Sequence, residues 1–270
     1  MNGRDPGLFG PGSTAWRLHA EPALLVGGLR ALMLQALHPL AVAAVRDHSD
    51  YRRDVWGRFQ RTSDYVTTTI FGDTAAARAL GARVRAVHRP IHGTDAVTGL
   101  AYAADDPVLL LWIHTTLVDS FLAAYDRFVG RLSEAEADSY AAEMVRQAEL
   151  VGLRADEVPA TRAAVAAFIA GCRPMLRLTQ TAEEAMDTFL HPPLPAVRRP
   201  GWWLTTSAAL SILPDYALEL YARRRQPFLD LALRPAVRVG AAQAKRFGRP
   251  PEVILRAREL SRQAAAQERG

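Results

Sequence analysis

Helical period runs through this chain almost without interruption, and no stretch alternates apolar and polar residues between Asn-Gly or Asp-Gly turns. That pattern restricts the fold to helices packed on helices. The start signals are local. Pro107 opens a helix over 106–130. Ser133-x-x-Glu136 reads as a capping box for a helix over 133–151, and Thr181-x-x-Glu184 as a second box for 179–190. Apolar spacing predicts further helices over 53–71, 73–89 (capped by Asp73 or Thr74), 159–171, 202–222, 226–247 and 251–267, with breaks near Pro214 and Pro235. The most apolar segment, 21–45, is expected to kink at Pro39 and carries Arg30, Gln35 and His38. Its length suits a bilayer, but each central charge there costs a few kcal/mol, so a buried core helix is the better reading.

The expected fold is all-α: a single domain of about ten helices over 1–270, with residues 1–20 as an N-terminal arm and 198–270 as a basic C-terminal helical segment packed on the rest. At 270 residues, 49% hydrophobic and 23% charged, the chain builds a core without covalent staples, and disorder is excluded. Its one cysteine, Cys172, excludes an intrachain disulfide and a cysteine-based zinc site, and suits a reducing compartment. Met1-Asn2-Gly3-Arg4-Asp5-Pro6 has no apolar core after a basic patch, so a cytoplasmic location is expected.

Net charge is +5 but uneven: residues 198–270 carry 14 basic and 6 acidic side chains. No nucleic-acid motif accompanies them, so no nucleic-acid partner is expected. Arg198-Arg199-Pro200-Gly201-Trp202-Trp203 combines cations with interfacial aromatics, which suits peripheral membrane contact. The plainer reading is two core tryptophans at a helix start.

Histidine placement is the one chemical signal. His19, His48 and His191 sit near helix ends, where ordinary hydrogen bonding accounts for them. His38, His88, His92 and His114 lie in or at the edge of apolar helices, where a buried imidazole needs a partner or a metal. His88 and His92 have the i,i+4 spacing of a two-histidine metal site, but Pro90 argues against a regular helix and Gly93 marks a helix end. A lone histidine holds haem iron, because the porphyrin supplies four ligands. Arg58, Arg61 and Thr62 share a helical face. Arginine there pairs a haem propionate or polarises dioxygen; otherwise the face is solvated and pairs Asp54 or Asp64.

Over residues 30–130 these pieces fall in a specific order: Leu37-His38-Pro39, Arg58-x-x-Arg61-Thr62, Phe71-Gly72-Asp73, Arg83-Val84-Arg85-x-x-His88-x-x-x-His92-Gly93, Tyr102-x-Ala104-x-Asp106-Pro107, and Leu110-x-Trp112-x-His114-x-Thr116-Leu117-Val118-Asp119-Ser120. In this the chain resembles the MpaB-type and rubber oxygenase (latex-clearing protein) family. The resemblance implies a globin-like helical core, haem b, and cleavage of a hydrophobic, isoprenoid- or lipid-like substrate with dioxygen or peroxide. It places the proximal ligand on His92, the metal-holding residue, with His88 as fallback. It leaves Arg89, His114 and His38 as cofactor-binding residues. Arg58, Arg61 and Thr62 become the catalytic element. The rubber enzymes have lysine where this chain has Arg61, and arginine does not give up its proton. The competing readings are a non-haem iron enzyme using several of the four histidines with a carboxylate such as Asp119, and a non-catalytic helical protein that binds a lipid or a partner.

Overall fold

A computed structural model describes residues 5–49, 53–248 and 250–267. Residues 1–4 of the expected arm, and residues 249 and 268–270 of the basic segment, lie outside the described residues. In chain order the elements are α1 (Thr14–His19), α2 (Leu24–Gln35), α3 (Pro39–His48), α4 (Val55–Phe71), α5 (Thr74–His88), β1 (His92–Thr94), β2 (Ala101–Ala103), α6 (Pro107–Phe128), α7 (Glu134–Leu150), α8 (Arg162–Cys172), α9 (Gln180–Leu190), α10 (Arg199–Ser211), α11 (Asp215–Leu220), α12 (Pro227–Phe247) and α13 (Glu252–Gln267). The chain is predominantly helical and forms one domain.

Local chemistry sets most of these boundaries. Asp54, Asp73, Asp106 and Ser133 each accept from a first-turn backbone N–H of the helix they precede. The Ser133–Glu136 capping box is present in both directions.

The core is organised by α2 lying along α6, the most extensive helix pairing in the molecule. Gly27 permits the approach: a Cβ there would sit 2.8 Å from the Ser120 carbonyl oxygen. Arg30 is buried in the same interface. It donates to Asp119 Oδ2 and Ser120 Oγ, each at 2.7 Å, and through Nε to the Ile212 carbonyl at 2.8 Å. The polar residue that breaks the apolar run of α2 is therefore a three-way tie between α2, α6 and the end of α10. α6 itself is long and apolar enough to cross a bilayer, yet 72% of that window is buried inside the fold.

Five expectations need correction. Residues 21–45 are not one kinked helix: α2 and α3 meet at 99°, because Pro39 starts a new helix and holds His38 extended. Thr181 is not a cap. Thr179 caps α9 by accepting from the Ala182 N–H, and Thr181 is buried within the helix. Pro235 does not break α12; it lies on an exposed face, where losing one backbone hydrogen bond is tolerated. Pro214 does end a helix, separating α10 from α11. The N-terminal arm is partly core, since Ala15, Trp16 and Leu18 are buried and the Trp16 indole donates to the Ile70 carbonyl at 2.6 Å. Finally, the residues after α5 form a short antiparallel hairpin, His92 opposite Ala103.

His19 is half-buried beside the core. It pairs with the Tyr140 hydroxyl at 2.9 Å and meets Phe121 edge-on. Burial pushes its pKa down to about 3.

Two predictions follow from this core. Arg30→Ala leaves Ser120 and the Ile212 carbonyl without their donor and Asp119 without its partner. It should lower unfolding free energy by about 3 kcal/mol, the lower end for breaking a buried pair because Asp119 is one-third exposed. A loss below about 1 kcal/mol in denaturant titration would show that the pair does not hold the helices. His19 stays neutral in the folded chain, whereas the unfolded chain protonates it below pH about 6.5. Its contribution is complete above that pH and declines as pH falls toward the folded value of about 3. Between pH 6.5 and 5 that is about 2 kcal/mol. Denaturant titrations of wild type and His19→Gln at pH 7.5 and 5 should show the variant losing less.

Candidate functional site

Three buried or half-buried histidines are held by α3, α5 and α6: His38 just before α3, His88 at the end of α5 and His114 within α6. Pro39 at the first turn of α3 leaves His38 just outside the helix, with its ring 5.8 Å from Trp112 of α6. Neither ring nitrogen of His38 has a partner among the described residues. Burial lowers its pKa, and the Asp106 carboxylate opposes that shift. His114 lies on α6 two residues beyond Trp112. Its Nε2 is buried without a partner, and burial pushes its pKa down to about 4. His88 is the last residue of α5, and its Nδ1 is likewise buried and unpartnered. Burial lowers its pKa first; Asp105 opposes the shift and the Arg58 cation adds to it.

Arg58 therefore stands within electrostatic reach of His88. It donates to Ser49 Oγ at 2.7 Å, which ties α4 to the end of α3. The other members of the arginine element face outward. Arg61 is 63% exposed and bonds Asp54 Oδ2 at 3.1 Å, the surface pairing that the sequence offered as its alternative. Thr62 is exposed and donates to the Arg58 carbonyl at 3.1 Å. Arg89 is exposed after α5. His92 is exposed on β1 and so does not share the buried setting of His88.

The hairpin is fastened by residues that sequence reasoning passed over. The Tyr102 hydroxyl donates to Asp47 Oδ2 at 2.7 Å. Arg46 grips the same carboxylate at 2.6 and 2.9 Å, and with Tyr102 holds its pKa down to about 2 against partial burial. Asp95 is buried and shapes the turn, accepting from the Thr98 N–H and hydroxyl at 2.9 and 2.7 Å. Gly93 does not end a helix. It lies under Tyr102, where an added Cβ would come within 2.5 Å of the phenol oxygen. The available signal was Asp95-x-x-Thr98-Gly99, an Asx-turn pattern.

Among the described residues no three of His, Cys, Asp and Glu come together as a metal-holding group. Asp119, the carboxylate considered for non-haem iron, is committed to Arg30. The donor set fits a cofactor that asks the protein for one histidine.

A family model described as "ER-bound oxygenase mpaB/B'/Rubber oxygenase, catalytic domain" matches residues 16–257. The chain belongs to this family. As an mpaB/rubber oxygenase catalytic domain it is an oxygenase-type enzyme, and its match runs from α1 into α13, taking in every element that frames the histidines. No curated protein and no solved structure matches the chain.

The fastening of the hairpin is testable. Tyr102→Phe removes a hydrogen bond to a carboxylate and should lower stability by about 1.5 kcal/mol. Gly93→Ala, which drives the phenol off Asp47, should cost at least as much. Thermal unfolding of both variants checks this; wild-type stability in Tyr102→Phe would show that Asp47 does not hold the hairpin.

Proposed function

We propose that this chain is a haem-dependent oxygenase acting on a hydrophobic, isoprenoid- or lipid-like substrate. The observation that carries the reading is the buried, unpartnered Nδ1 of His88 beside Arg58. A neutral imidazole left without a hydrogen bond in the interior is costly unless another group takes its lone pair or proton. Haem fits that requirement with a single axial ligand.

In this reading His88 holds the iron, taking precedence over His92 because His92 lies in solvent. Arg58 supplies a cation for a haem carboxylate. His38 and His114 offer uncommitted ring nitrogens in an otherwise apolar wall that includes Trp112. Arg61 and Thr62, the other residues of the arginine element, face solvent with Arg61 on Asp54, so this reading gives them no part at the cofactor. When bound, haem supplies the activation of dioxygen or peroxide. Peripheral membrane contact, with a cytoplasmic location, belongs to the same reading, since a substrate of this class resides in lipid. Of the tandem tryptophans, Trp202 is packed against Trp56 and Phe59 and donates to the Phe189 carbonyl, whereas Trp203 is 57% exposed.

The test is a visible spectrum of protein expressed with ample haem supply, with pyridine–haemochrome and metal analysis on the same sample. A Soret band at one haem per chain, lost in His88→Ala and kept in His92→Ala, is expected. The opposite pattern moves ligation to His92. Stoichiometric iron without a Soret band would replace the reading with a non-haem site. A folded protein with neither haem nor metal would leave a helical lipid- or partner-binding protein.

A further inference from the structure

α12 is apolar on two sides. Leu233 and Val237 face the core and are buried. On the opposite side Phe228, Leu231, Pro235 and Val239 recur at helical spacing and form one stripe. Phe228 is 92% exposed and Leu231 is 74% exposed. Single exposed apolar residues are ordinary, but an aligned row of large ones marks a contact surface.

Leu229 and Asp230, next to Phe228 and Leu231 in sequence, line an open cleft of about 520 Å³ between α10 and α12. Trp203, Leu210, Leu218 and Leu229 supply its apolar lining, and Arg223 and Arg224 stand in its wall. The arginine run follows a sharp turn at Ala222, whose φ is +51°. Arg225 is spent on the fold, bonding Asp215 and the carbonyls of Ser211 and Leu213. Arg223 and Arg224 are exposed, as is Arg234 beside the stripe.

We propose that this α10–α12 face docks on a lipid bilayer bearing anionic headgroups, with Phe228 and Leu231 entering the interface and Arg223, Arg224 and Arg234 meeting the headgroups. Charge selects the occupant. Asp230 is the only acid lining the cleft among the described residues, so a second copy placed on this face would set arginines against arginines. A nucleic acid would satisfy the arginines but gain nothing from the apolar stripe. An anionic bilayer satisfies both. The inference names the partner surface for the hydrophobic-substrate reading, and it stands apart from haem because its readout requires none.

The experiment is co-sedimentation of the full chain with phosphatidylcholine vesicles, with and without phosphatidylglycerol. Binding to the anionic vesicles, weakened by salt, is expected. Phe228→Ser with Leu231→Ser should weaken it at least about tenfold. Arg223→Ser with Arg224→Ser should weaken it by about twenty-five-fold on anionic vesicles, at about fivefold per cation, and leave the neutral ones unchanged. All four side chains are exposed, so circular dichroism melts should match wild type. No vesicle binding, or binding that both double variants retain, overturns the proposal. So does self-association that Phe228→Ser with Leu231→Ser abolishes, which would assign the face to a second copy. A haem-free chain that still binds these vesicles upholds the docking face while refuting the haem reading.

Discussion

The contact on which the rest of the structure depends is the guanidinium of Arg30, held inside the α2–α6 interface by Asp119, Ser120 and the Ile212 carbonyl. A cation in an apolar interior is tolerated only where its donors are met, so this one fixes how far α2 slides along α6 and how α10 ends against them. α6 carries Trp112 and His114 in its first half and follows directly from Asp105 and Asp106. The register of a single helix pair thus sets where Trp112 and His114 lie. Gly27 serves the same end by steric means, since any side chain there would strike the α6 backbone.

Three prolines then decide how the side chains next to them are presented. Pro39 begins α3 and leaves His38 extended before it, Pro90 follows α5 within two residues of His88, and Pro107 begins α6 just after Asp105 and Asp106. Proline at a first turn, and the extended preference of the residue before it, convert helix boundaries into presentation points. The electrostatics agree with this arrangement, as Asp106 is the acid felt by His38 and Asp105 the acid felt by His88.

What was legible in the sequence was what local chemistry specifies. The helices over 53–71, 73–89, 106–130 and 133–151 fall within a few residues of α4 to α7, because Asp54, Asp73, Asp106, Pro107 and Ser133 act on neighbours one turn away. The hairpin was not legible: strands of three residues carry no alternation, and its stability comes from Asp47, 55 residues before Tyr102. Thr181-x-x-Glu184 failed because Thr179 offers the same cap two residues earlier, and Thr181 is worth more buried. Spacing on a helix showed that Arg58, Arg61 and Thr62 share a face. It could not show that Arg58 turns toward Ser49 and His88 while Arg61 turns toward Asp54.

The same limit applies to the pair His88 and His92. Four residues apart, they read from sequence as a first choice, His92, and a fallback, His88. The chain separates them by ending α5 at His88 and turning His92 into a strand held out by Tyr102 over Gly93. A metal site built from both would need the helix to continue through Pro90, which cannot donate the required hydrogen bond. The break therefore selects against a shared two-histidine site and leaves His88 half-buried and His92 in solvent. Under the proposed haem reading, that outcome suits a cofactor that brings its remaining ligands with it.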